Sequence, residues 1–186
     1  MLQTNCDIAE SIFQEINKHN RDAIVLALTN PLDVIVTKIR QVTGRDRHKV
    51  IGTGTLLESA RLTRFIADLL EVSPASVNAW VVGEHGNSSV ALVDNSRIMG
   101  LTLSEYLSAE VGVSLDMNPE AVNALIRERA FRIIAGKGFT STGVAASAER
   151  VVSAIAGDTR DILPVSMVLD GEYGVSGFAI SVPVLV

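Results

Sequence analysis

Several common chemistries are excluded by what this chain lacks. A single cysteine, Cys6, in 186 residues rules out an internal disulfide and fits a reducing, cytoplasmic compartment. The three histidines, His19, His48 and His85, lie in different local contexts, and there is no His-x-x-x-His or Cys-x-x-Cys spacing, so no metal site is expected. The serine-hydrolase turn Gly-x-Ser-x-Gly is absent; Gly112-Val113-Ser114 lacks the second glycine. Lysine and arginine total 16 against 21 acidic residues, a net charge of −5, which leaves no basic footprint for nucleic acid. The locally basic stretch from Arg40 to Lys49 has no interleaved aromatics and reads as a solvated loop. No apolar run is long or pure enough to span a bilayer, so no membrane partner is expected. Nor does the start read as a signal peptide: Asp7, Glu10 and Glu15 with Ile8, Ile12, Phe13 and Ile16 predict an amphipathic helix. Repeats, low-complexity tracts and evident linkers are missing too.

What is present is a 47 % hydrophobic, 20 % charged chain able to bury one domain and part of another. Periodicity predicts helices at 2–18, 31–42, 55–71, 103–108, 119–135 and 140–157 and strands at 23–29, 77–83, 89–98, 162–169 and 175–185. Asn118-Pro119-Glu120 starts a helix with the stripe Val122, Leu125, Ile126, Ala130, Ile133 and Ile134, which Gly136 and Gly138 should break. Asp170-Gly171 between two β-rich runs predicts a hairpin.

Three segments carry candidate chemistry. In Gly83-Glu84-His85-Gly86-Asn87-Ser88 a histidine sits between glycines after an apolar strand, free to project into a cleft as a proton carrier; alone, it also fits an ordinary surface-loop histidine. In Gly52-Thr53-Gly54-Thr55-Leu56-Leu57-Glu58-Ser59-Ala60-Arg61, Glu58 and Arg61 share a helix face continued by Phe65, while Leu56, Ala60, Thr63, Ala67 and Leu70 form the packing stripe. Glu58 could hold the His85 ring and Arg61 could clamp a carboxylate with two parallel hydrogen bonds. Equally, Thr55-x-x-Glu58 fits a capping box and Arg61 a surface ion pair. The third is Ile24 to Asp33: an unalternating apolar run, expected to be a strand buried on both faces of a parallel sheet, followed by Asn30 at the N-cap, Pro31 at the first helical position and Asp33 in the first turn. Such a strand-to-helix junction is also where open α/β sheets place ligands.

Together, Asn30-Pro31-Leu32-Asp33, the Gly52-to-Arg61 segment, Gly83-Glu84-His85-Gly86 and Gly136-Lys137-Gly138-Phe139-Thr140-Ser141, in that order, resemble the L-2-hydroxyacid dehydrogenases of the lactate/malate dehydrogenase family. Gly-Glu-His-Gly is more similar to the lactate and hydroxyisocaproate branch than to the malate branch. The resemblance implies the end of a Rossmann-type parallel sheet (residues 1–49, a remnant of the nucleotide-binding domain) followed by an α+β substrate domain (50–186, incomplete). It makes His85 the acid–base with Glu58 beside it, Arg61 the carboxylate clamp, Asn30 a contact to the nicotinamide and the substrate oxygen, Thr53 a residue near the nicotinamide and Thr140 a wall of the substrate pocket. NAD is the implied cofactor, a small 2-hydroxy or 2-oxo acid the substrate, and a homo-oligomer the assembly.

This chain departs from the family pattern in four ways. Glu58 stands where the family carries Asp, and Asn87 where lactate dehydrogenases commonly carry an acid. No Gly-x-Gly-x-x-Gly turn is present: after Gly52-Thr53-Gly54 the third position is Leu57, and after Gly136-Lys137-Gly138 it is Ser141. The family's mobile loop, which supplies an arginine and selects the substrate, is absent as well. The chain thus reads as a piece truncated at both ends. The expectation is an NAD-dependent L-2-hydroxyacid dehydrogenase of lactate type, the isolated chain being inactive; branched acids such as hydroxyisocaproate are the alternative substrates. The rival reading is a non-catalytic remnant or interaction module that keeps the substrate domain.

Overall fold

The computed structural model describes residues 2–111, 118, 120–122, 124, 128 and 135–186. It begins with α1 (Leu2–His19), whose buried face packs on α2 (Leu32–Thr43) through Ala9, Ile35, Val36 and Ile39. Between them runs β1 (Val25–Ala27), which pairs in parallel with β2 (Val50–Gly52), Ala27 opposite Gly52. The sheet continues antiparallel from β2 to β8 (Ile162–Asp170) and from β8 to β9 (Ser176–Leu185). The order β1-β2-β8-β9 makes β2 the strand at which parallel pairing gives way to antiparallel. The expected hairpin joins β8 and β9, with a short helical turn over Glu172–Gly174.

In this chain β1 stands at the end of the sheet, half-buried at Val25 and Leu26 and buried at Ala27. α2 begins one residue later than expected, with a cis Asn30–Pro31 bond and Pro31 itself at the N-cap. β2 was not predicted, because only Val50 and Ile51 are apolar before glycine; its neighbours on both sides, not local sequence, make it a strand.

α3 (Leu56–Leu70) leaves the sheet directly after β2. Gly54 permits that turn: at φ +56° it lies so close to β8 that a Cβ would stand 2.4 Å from the Pro164 carbonyl oxygen and 2.7 Å from the Ser166 nitrogen. The helix buries Ser59, Leu62, Ile66 and Ala67. The packing stripe is therefore rotated from the expected Leu56, Ala60, Thr63, Ala67 and Leu70, of which only Ala67 is buried. Ser59 is inside because its hydroxyl donates to the Thr55 carbonyl at 2.9 Å and accepts the Val81 N–H at 2.9 Å.

The predicted strands 77–83 and 89–98 form a bent, interrupted pair. β3 (Val77–Asn78) pairs with β6 (Arg97–Ile98), β4 (Val81–Val82) with β5 (Val90–Ala91), and β6 turns back onto β7 (Leu101–Thr102). α4 (Leu103–Tyr106) starts with a capping box between Thr102 and Glu105 and opens into a wider turn over Leu107–Val111. Most of the predicted helix 119–135 lies outside the described residues; those described within it after Pro119, such as 120–122, are helical. The glycine break expected there is seen at Gly138, with φ +82°. α5 (Thr142–Gly157) then packs Val151 and Ala154 against Ile51, Leu163 and Val165. No helix among the described residues is long and apolar enough to cross a membrane.

Candidate active site

β4 ends at Val82, and Gly83, with φ +94°, turns the chain out of the strand. Gly83 exchanges two backbone hydrogen bonds with Ser181 of β9, at 2.8 and 3.0 Å, which anchors the start of the loop. His85, two residues on, donates its backbone N–H to Asp33 Oδ2 at 2.8 Å. Its ring reaches α3, where His85 Nδ1 lies 3.3 Å from Glu58 Oε2. Glu58 Oε1 is 3.6 Å from Arg61 Nη1, the i,i+3 neighbour on the same helix face. The three side chains thus form a row, histidine, carboxylate, guanidinium, with side-chain exposures of 21 %, 15 % and 15 %.

The capping-box alternative for Glu58 does not hold. Thr55, at the N-cap of α3, makes no side-chain cap; its hydroxyl donates to the Val81 carbonyl at 2.5 Å. This bond and those of Ser59 tie the start of α3 to β4, so the helix carrying Glu58 and Arg61 and the strand carrying the His85 loop are fixed to one another.

Glu58 Oε2 and His85 Nδ1 are both buried and stand 3.3 Å apart, a contact that is an ion pair when the imidazole is protonated. Burial is the largest influence on each and disfavours charge on both; the pair outweighs it. The His85 imidazole, the backbone N–H of Glu58 and Arg61 hold the Glu58 carboxyl below the ordinary carboxylate range. Glu58, Asp33 and the Gly54 backbone likewise hold His85 above its ordinary value. Asp33 goes the other way: burial raises it against the lowering effect of Ser166 and His85.

The remaining candidates lie nearby but are not joined to this row. Ala27 opposite Gly52 in the parallel pair puts Asn30 and Thr53 beyond the same end of β1 and β2. Asn30 has an exposed side chain and a backbone carbonyl that accepts from Asn5 Nδ2 at 2.6 Å; Thr53 is buried and donates its N–H to Ala27 at 3.2 Å. Thr140 is half-buried just before α5, and among the described residues no hydrogen bond or ion pair ties it to His85, Glu58 or Arg61. A groove of about 830 Å³ opens on another face of α3, lined by Ala60, Thr63, Trp80, Arg97 and Arg150, with none of the three row residues in its wall. Among the described residues no group of three or more His, Cys, Asp or Glu could hold a metal ion. Asp33 and Ser166 were missed as site residues: Asp33 read as a first-turn acid, and nothing in the sequence marks Ser166.

Residues 55–186 match the family described as lactate/malate dehydrogenase, alpha/beta C-terminal domain, and residues 1–52 the lactate/malate dehydrogenase, NAD binding domain. The L-lactate dehydrogenases of Mesoplasma florum and Selenomonas ruminantium are 39 % and 36 % identical, over 100 % and 98 % of this chain but 58 % and 57 % of their own length. The chain therefore spans a little over half the length of these relatives. Among solved structures, the minor L-lactate dehydrogenase of Enterococcus mundtii superposes with a TM-score of 0.92 at 32 % identity, covering 100 % of this chain and 59 % of that one. The malate dehydrogenase of Aeropyrum pernix gives 0.87 at 32 % identity, covering 99 % and 60 %. On both the sequence match and the fold, this chain belongs to the lactate/malate dehydrogenase family.

Proposed function

We propose that this chain is the substrate-side part of an NAD-dependent L-2-hydroxyacid dehydrogenase, of lactate type, with residues 1–49 belonging to the cofactor side and 50–186 to the substrate side. The observation that carries the reading is the half-buried row His85, Glu58, Arg61 at 3.3 and 3.6 Å. Glu58 favours the protonated imidazole, so His85 takes the hydroxyl proton of a 2-hydroxy acid and returns it to the carbonyl of a 2-oxo acid. Arg61 offers the paired donors that a substrate carboxylate accepts side-on. Glu58 neutralises part of each neighbour while no substrate is bound, and the longer carboxylate arm is accommodated, since one oxygen faces each partner.

NAD, when bound, supplies the hydride acceptor. The residues present fit its nicotinamide end: Asn30 and Thr53, a carboxamide and a hydroxyl at the carboxyl ends of a parallel strand pair, suit a neutral amide. No Gly-x-Gly-x-x-Gly turn is present for a pyrophosphate, so the 186-residue chain alone does not turn over. Thr140 forms the far wall of the substrate pocket. Lactate is the first-choice substrate and branched acids such as hydroxyisocaproate the second. Assembly with further copies of the chain and a cytoplasmic location belong to the same proposal. A second reading, a non-catalytic interaction module, draws on the exposed stripe Ile8, Ile12 and Ile16 of α1.

The test is to complete the chain with the nucleotide-binding segment of the Mesoplasma florum relative and follow NADH oxidation with pyruvate and with a branched 2-oxo acid. Turnover that disappears in His85→Gln supports the proposal. A folded, NADH-binding hybrid without turnover on either acid refutes it.

A further inference from the structure

Asp33 stands in the first turn of α2, where an acid ordinarily serves its own helix terminus. Here both oxygens are spent elsewhere. Oδ2 accepts the His85 backbone N–H, and Oδ1 accepts the Ser166 hydroxyl, from partners 52 and 133 residues away in sequence. Ser166 is fully buried in β8, directly opposite Gly52 of β2. A half-buried carboxylate is costly unless its oxygens are satisfied, and these are satisfied by the loop that carries the imidazole and by the strand beneath it.

That loop is held from three elements. Ser181 of β9 fixes Gly83, Asp33 of α2 fixes the His85 backbone, and Glu58 of α3 meets the His85 ring. Gly83 lies two residues before His85 and leaves the backbone free to swing; the Asp33 contact is made on the histidine itself. It also reaches across the two family segments, from residues 1–52 to residues 55–186.

We propose that Asp33 is a positioning residue for His85: held in place by Ser166, it grips the His85 backbone N–H and so fixes where the imidazole stands against Glu58. The proposal deepens the reading in which His85 carries the substrate proton, and rests on it for its functional meaning. The charged groups facing His85 are Glu58 from α3, with Arg61 behind it, Asp33 from α2 and Glu84 from its own loop.

The experiment uses the ¹⁵N-labelled 186-residue chain and two variants, Asp33→Asn and Ser166→Ala, with the His85 backbone amide and ring signals followed by NMR across pH. Ser166→Ala keeps the Asp33 charge and removes only the group that orients it, which separates position from charge. In both variants the His85 amide is expected to move in the same direction, further in Asp33→Asn. The ring midpoint is expected to fall by roughly one pH unit in Asp33→Asn and by less in Ser166→Ala. A purely structural role would lower the melting temperature and leave the ring titration where it is. The proposal is overturned if either folded variant keeps the parent's His85 signals; should Asp33→Asn not fold, Ser166→Ala decides alone. In the completed hybrid, Asp33→Asn should lower kcat more than it raises KM. A parent hybrid with no turnover would remove the dehydrogenase reading, while the NMR result would still settle the role of Asp33.

Discussion

Replacing Glu58 with Gln keeps the shape of the site and removes one charge from the row. Glu58 and His85 approach to 3.3 Å with side-chain exposures of 15 % and 21 %, so solvent screens them only in part. At that separation an effective dielectric of 20 puts the bare attraction at about 5 kcal/mol, a ceiling that the burial of both groups reduces. An opposite charge this close typically moves a pKa by about 1–3 units, and each unit corresponds to about 1.4 kcal/mol. A net effect of about 2 kcal/mol is therefore expected, with the His85 midpoint falling by about 1.5 units in Glu58→Gln.

The pH profile gives a sharper check. His85 is raised from 6.5, so its contribution is fully present below 6.5 and is lost as pH rises through the folded value. Glu58 is lowered from 4.5, so its contribution is present above 4.5 and is lost as pH falls through the folded value. The two describe one interaction, complete between 4.5 and 6.5. Urea unfolding of parent and Glu58→Gln should differ most in that window and converge on both sides, while NMR reads the His85 midpoint directly. A stability difference independent of pH, with an unmoved His85 midpoint, would refute the pairing.

Three further outcomes follow from named contacts. Arg61→Lys keeps the charge and loses the planar fork, so in the completed hybrid KM for pyruvate and for a branched 2-oxo acid should rise by about tenfold or more with little change in melting temperature; unchanged kinetics for both would remove Arg61 from the site. The 186-residue chain alone should show neither saturable NADH binding in the micromolar range nor pyruvate turnover by calorimetry and absorbance. Gly54→Ala should cost at least about 3 kcal/mol in urea unfolding, because φ is +56° and the new Cβ meets two backbone atoms of β8 that cannot yield, whereas Gly44→Ala, equally left-handed but with nothing within 4 Å, should cost only about 1 kcal/mol.

Local sequence encodes the long elements and not the short ones. α1, α3 and α5 carry helical periodicity over 15 to 18 residues, and their ends fall within two residues of expectation. The β8–β9 hairpin is legible because two β-rich runs flank Asp170-Gly171. β2 is three residues long and exists because β1 and β8 flank it. The strands predicted at 77–83 and 89–98 break because their two halves join different ladders, held at the break by the Leu92 N–H on the Trp80 carbonyl at 2.8 Å. Periodicity also misplaces the buried face of α3, since it counts Ser59 as polar; the Thr55 carbonyl and the Val81 N–H let that serine replace an apolar residue in the core.

The same distinction governs the site. Glu58 and Arg61 are one helical turn apart, a relation visible in the sequence, and their pairing with His85 follows once four ordered motifs are read together. What remained hidden is which atoms hold the row in place, because each is a polar side chain spent on a distant backbone group. Thr55 at a helix start and Asp33 in a first turn both match local rules completely, yet neither serves its own helix: Thr55 donates to Val81, and Asp33 accepts from His85 and Ser166. A capping residue released from capping leaves helix N–H groups to find other partners, a cost tolerated only where the substitute contact does more. Here the substitute contacts bind α2, α3 and β8 to the strand and loop that carry His85, so the residues that break local capping rules are the ones that build the site.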